Sequence, residues 1–280
     1  MDLDQCSLRI STEKTPVDVP LVIGPISITN AALHHNASIF LTAAKIAEHF
    51  QLPYVHTLKS PVSMEELDGS IFKPTTVRWL EVFPFVDECM LRSLVRQAEH
   101  CGFSAFVLSF LGPSNHVMSI FNEQPHVRFS DLHRTQGEAI YRSKYMLPPA
   151  REAKPVTWFI DQFRCCTEAP VIACVSTTQQ DLIFQALYAG VDIICVVIDE
   201  YTPFPIFVKL IQMIKQSIFI NTPIYAGGSS FTETEVAELI ALGVVRIMID
   251  QPIVWGYMID GFDGICNVVN IYKNRIRNKR

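Results

Sequence analysis

Residues 170–198, PVIACVSTTQQDLIFQALYAGVDIICVVI, set two short apolar runs on either side of a helical one. The runs at 170–175 and 193–198 are apolar on both faces, the pattern of parallel strands that are covered on both sides. Between them, residues 178–189 carry an amphipathic stripe, and Gly190 supplies the left-handed position that closes a helix before the next strand. Parallel neighbours cannot be joined by a tight hairpin, so this segment reads as a strand, a crossover helix and a strand.

Outward from this stretch the same unit recurs. Further strands are expected at 21–26, 53–58, 78–83, 105–110, 223–228 and 246–250, with amphipathic helices at 37–50, 88–101, 204–216 and 232–242. Thr178-Gln179-Gln180-Asp181 and Thr232-Glu233-Thr234-Glu235 each pair a capping Thr with an acid three residues on, a helix-start signature. Gly102 and Gly243 close two more helices. Eight such units in 280 residues fit a closed α/β (β/α)8 TIM barrel better than an open doubly wound sheet. Residues 1–18 form a lead-in and 19–280 the barrel, with one long excursion at about 115–155 after the fourth strand.

Composition narrows the function. With 49% hydrophobic and 18% charged residues, intrinsic disorder is excluded as the main state. A net charge of −5 gives no general attraction for nucleic acid, and no uninterrupted apolar stretch is long enough to span a membrane. The first residues, MDLDQCSLRI, lack the features of a secretory signal. The eight Cys show no CxxC and no metal-ligand spacing, so no metal site is expected. Cys89, Cys101, Cys166, Cys174, Cys195 and Cys266 read as reduced thiols packed as small hydrophobes. The basic run Lys273 to Arg280 reads as a solvated helix end.

Several ordered segments resemble the FMN-dependent α-hydroxy acid oxidases and dehydrogenases, such as glycolate and lactate oxidase. They are Val22-Ile23-Gly24-Pro25, Thr57-Leu58-Lys59-Ser60 with Glu65-Glu66, Arg78-Trp79-Leu80-Glu81-Val82 and Leu94-Val95-Arg96-Gln97-Ala98-Glu99 with Gly102-Phe103. Ala186-Leu187-Tyr188-Ala189 with Gly190-Val191-Asp192, and Ala241-Leu242-Gly243 leading to Gln251-Pro252-Ile253-Val254-Trp255-Gly256, continue the series. Against the family pattern the chain is expected to start late and to end early. The resemblance implies an FMN site at the C-terminal ends of the strands, with a His base and with Arg and Tyr groups on the substrate carboxylate.

Carried over residue by residue, the resemblance puts Pro25, Ile26, Ser27, Ser60, Glu81, Ser109, Gly228 and Ser229 at the cofactor. It also implies losses. The base position falls on Asp199, followed by Glu200, and the substrate Arg of that segment has no counterpart. The flavin-contacting amide is Glu81, the substrate Tyr is Phe83, and the flavin Lys is Cys174. At the phosphate end, Ala226-Gly227-Gly228 with Ser230, and Asp250-Gln251, stand where the family has Asp-Gly-Gly with an Arg, and Gly-Arg.

No catalytic residue is assigned on this reading. The expectation is a pseudoenzyme with impaired FMN binding. The alternative is an active oxidase with residues relocated from the excursion, for instance His126, Arg128, His133 or Arg134. A further option is an uncharged small molecule in the vacated mouth. Neither a nucleic-acid nor a membrane partner is expected, and a homo-oligomer is possible by resemblance. The terminal Asn278-Lys279-Arg280 is not a Ser-Lys-Leu address, so the cytosol is expected, with the peroxisome as the alternative that the family suggests.

Overall fold

The computed structural model describes residues 20–26, 36–70, 76–84, 88–111, 155–199, 201–219, 221–228 and 230–277. Residues 112–154, nearly all of the excursion, therefore lie outside the described residues, as do Ser27, Glu200 and Ser229.

Strands β1 (Leu21–Ile23), β2 (Tyr54–Thr57), β3 (Arg78–Val82), β4 (Ala105–Ser109), β5 (Val171–Ser176), β6 (Ile193–Ile198), β7 (Ile224–Gly228) and β8 (Arg246–Ile249) close in that order into a parallel barrel. The closing pair joins Leu21, Val22 and Ile23 to Ile247, Met248 and Ile249. The expected (β/α)8 barrel is the observed fold. Helices α1 (Ala37–Phe50), α2 (Met64–Ser70), α3 (Glu88–His100), α4 (Val156–Arg164), α5 (Gln180–Tyr188), α6 (Phe204–Lys215), α7 (Glu233–Ala241) and α8 (Gln251–Arg277) follow the strands in alternation.

Strand alternation sorts the side chains into two cores. Val22, Val55, Trp79, Ala105, Val107, Ile172, Cys174, Ile193, Cys195, Tyr225 and Met248 fill the barrel interior. Leu80, Phe106, Ile194 and Ile247 face the helix layer, where α5 contributes Ile183 and Leu187 and α6 contributes Phe207 and Ile211. Trp79 and Tyr225 stack across the interior at 6.0 Å, so the barrel is packed and is no open pore.

The local signals held unevenly. Thr232 caps α7 in a complete capping box with Glu235. Thr178 does not cap α5: Gln179 occupies that position without a side-chain bond, and the Thr178 hydroxyl pairs with Ser176 at 2.8 Å. Gly102, Gly190 and Gly243 have φ of 76°, 73° and 86°, as helix-ending glycines require. The first strand stops at Ile23 because Gly24 turns to φ 92°, where a Cβ would sit 2.6 Å from the Val55 carbonyl oxygen. Pro252, in the last of the family-like segments, lies in the first turn of α8.

The thiols divide too. Cys101, Cys174 and Cys195 are buried as expected, whereas Cys89 is exposed, and Cys166, in the turn after α4, and Cys266, on α8, are half-buried. The basic C-terminal run is also more than a solvated end. Arg275 donates to the Phe231 carbonyl at 2.7 Å, and the Lys273 ammonium lies 5.0 Å from the Phe50 ring centre.

Candidate ligand site at the barrel mouth

The C-terminal ends of parallel barrel strands are where side chains from several strands can converge on one ligand. On β3, Glu81 shares the interior face with Trp79 two residues earlier and is 5% exposed. Ser109 at the end of β4 is 1% exposed, and its hydroxyl has no hydrogen-bond partner among the described residues. Just beyond β8, Asp250 caps α8: its carbonyl accepts from the Ile253 and Val254 amides at 3.0 and 3.3 Å. Its buried Oδ1 has no partner among the described residues. Burial raises the Asp250 carboxyl to about 6, with Glu81 adding to the rise and the backbone amides at 250 and 251 opposing it. At neutral pH the group is still an anion.

Lys59, in the turn after β2, is the cation that the sequence reading left without a role. Its ammonium lies 4.3 Å from the Phe83 ring centre. Burial lowers its pKa, and the nearby Glu81 charge pulls it back up. The mouth thus holds a Lys cation that feels the Glu81 charge, and a second carboxylate. Sequence places Lys59 in a family-like segment, but its nearness to Glu81 is set by the fold, which brings the ends of two different strands together.

The residues carried over from the resemblance are not equivalent in their surroundings. Ser60 is buried, but its hydroxyl accepts from the Val62 amide at 3.1 Å and so braces its own turn. Ser109, by contrast, has a buried hydroxyl without a partner among the described residues. Ile26 is buried and Pro25 is half-buried at the end of β1. Gly228 has φ 122°, and a Cβ there would lie 2.4 Å from the Ile198 carbonyl oxygen. Close approach of β7 to β6 is therefore sufficient reason for this glycine.

Asp199, the residue at the base position, is held in a clasp. Its Oδ2 accepts from the hydroxyls of Thr177 at 2.9 Å, Thr202 at 3.0 Å and Ser176 at 3.3 Å, and its Oδ1 accepts from the Tyr201 amide at 2.9 Å. Burial pushes its pKa upward, but these four donors outweigh it and hold the carboxyl below its usual value. A carboxylate that is stabilised as an anion has little appetite for a proton. Thr177 and Thr202 also line an open groove of about 650 Å³ between the starts of α5 and α6, together with Gln179, Gln185, Tyr201 and Ile206.

His56 looks chemical but is structural. It is buried on β2 between Tyr54 and Phe103, with Nε2–H donating to the Val62 carbonyl at 3.0 Å. Burial drives its pKa down to about 4 against the opposing hydrogen bond to Val62.

Comparison with known proteins gives a consistent family signal. The family described as FMN-dependent dehydrogenase matches residues 1–113. Peroxisomal (S)-2-hydroxyacid oxidase GLO4 of Arabidopsis thaliana is 24% identical over 98% of this chain and 76% of its own length. 2-Hydroxyacid oxidase 2 of Mus musculus is 20% identical over 98% of this chain and 78% of its own length. Among solved structures, mandelate oxidase superposes with a TM-score of 0.68 at 19% identity, over 93% of this chain and 73% of that one, which is a likeness of fold.

Proposed function

We propose that this chain, a divergent relative of the FMN-dependent 2-hydroxy acid oxidases, is a pseudoenzyme: a barrel that keeps the family's scaffold without its oxidase chemistry. The observation that carries the reading is the Asp199 clasp. Proton abstraction from a 2-hydroxy acid needs a group with a pKa near the working pH, and a carboxylate with four donors is poised far below it.

The described residues do not fit FMN. The phosphate would meet the Asp250 carboxylate, whose Oδ1 is already buried and unpaired. Two like charges about 4 Å apart repel by about 4 kcal/mol even at a surface-like effective dielectric. At the flavin ring, the position that carries Lys in the family is Cys174, a thiol held protonated by its hydrogen bond with Cys195 and by burial. Ser109 and the mouth carboxylates suit a small uncharged ligand with donor groups better than a phosphate ester.

A specific observation favours the active alternative. Lys59 places a cation beside Glu81 at the mouth, so one charged fitting is available there. The two readings separate on purified protein. A colourless product that forms no peroxide from glycolate, lactate or longer 2-hydroxy acids with added FMN is the pseudoenzyme outcome. A yellow product counts against the pseudoenzyme reading, and oxygen-dependent peroxide formation establishes the oxidase. As part of the same proposal, the protein is cytosolic, the peroxisome being the alternative, and its self-association is measured by light scattering.

A further inference from the structure

Three sulfur atoms from three strands meet inside the barrel. Cys174 on β5 and Cys195 on β6 are register partners, side by side on the interior face of the barrel. The Cys195 Sγ lies 3.2 Å from the Met248 Sδ on β8. Strand β7 runs between β6 and β8. Its residue at this level is Gly227, and a Cβ there would only touch the pair, at 3.4 Å from the Cys195 Sγ and 3.7 Å from the Met248 Cβ. The three sulfur residues are 1%, 0% and 3% exposed.

Aliphatic side chains would fill this layer equally well, so the common property of the three is their soft, polarisable sulfur. Thiolate and thioether ligands select Cu(I) over hard cations. We propose that Cys174, Cys195 and Met248 form a buried three-sulfur site for a soft monovalent metal ion of the Cu(I) class. Among the described residues no group of three or more His, Cys, Asp or Glu is placed to hold a metal, so the third ligand here is the thioether. Asp250 at the mouth, unfavourable to a phosphate, favours entry of a cation. On binding, two S–H bonds break and two S–Cu bonds form, and the protons leave to solvent. Met248 donates a lone pair and loses nothing. No electron is transferred, and the ion enters already reduced.

The site is tested on the full chain after alkylation of its accessible thiols under native conditions, with peptide mass spectrometry verifying that Cys174 and Cys195 stay free. Titration with Cu(I) held by bicinchoninate should show uptake of one ion per chain and, by X-ray absorption, an all-sulfur shell. Cys174→Ser and Cys195→Ser should abolish uptake. Met248→Leu, which preserves volume, should weaken it at least about tenfold, the lower end of what loss of even an outer-shell partner costs. Circular dichroism checks that each variant is folded. No uptake by the alkylated protein, a nitrogen or oxygen shell, or equal uptake by folded Cys195→Ser would overturn the proposal. FMN affinity is read separately and does not bear on it.

Discussion

Asp250→Asn isolates one charge at the barrel mouth. The wild-type carboxyl rises from 3.8 to about 6, chiefly because it is buried and with Glu81 adding repulsion. The folded protein therefore holds this proton more tightly than the unfolded chain does. The associated stability is fully present below pH 4 and is lost as pH rises through about 6, the folded value. A shift of about two units corresponds to about 3 kcal/mol at 1.36 kcal/mol per unit, an upper figure for a partly accessible group. Asn is nearly isosteric and keeps a capping oxygen for α8. Chemical unfolding of both proteins from pH 4 to 8 should show a gap near zero at the acid end. It should open in favour of Asn by about 2–3 kcal/mol between pH 4 and 7, then stay level. A gap independent of pH, or a less stable Asn variant at pH 8, refutes the assignment of a strained buried anion.

Other expectations follow from the same geometry. Asp199→Ala strips the acceptor from three hydroxyls and the Tyr201 amide, and should cost about 1–3 kcal/mol in denaturant unfolding. Gly228→Ala forces a Cβ to within 2.4 Å of the Ile198 carbonyl at φ 122° and should lower the melting temperature, with a cost of at least about 1–3 kcal/mol. His56 should show by NMR a neutral ring with the proton on Nε2 throughout pH 5–8, since its pKa is held near 4. A thiol reagent should modify Cys89 and Cys165 rapidly, whereas Cys101, Cys174 and Cys195 react only on unfolding.

The fold was legible because a buried parallel strand announces itself twice, by an apolar run and by the glycine-ended helix before it. The predicted 193–198 strand and 37–50 helix match β6 and α1 to the residue. The misses have local causes. Strand β1 is three residues shorter than its apolar run because Gly24 turns to φ 92° and Pro25 has no amide to donate. Helix α4 was hidden at the end of the excursion, behind Pro155, which caps it without a side-chain bond.

The site was legible by position and not by environment. Sequence could place Asp199 at the base position, but only the fold could bring Thr177 and Thr202 onto its carboxylate. Ser60 and Ser109 were indistinguishable until one proved satisfied by its own turn and the other orphaned. Cys174, Cys195 and Met248 have no recognisable spacing because barrel closure, not chain proximity, joins them.

The central claim is that the scaffold persists without a working flavin site. Calorimetric titration of the folded protein with FMN tests it most directly. The account predicts no saturable heat at micromolar concentrations in the wild type. Tight one-to-one binding to the wild-type chain would contradict it.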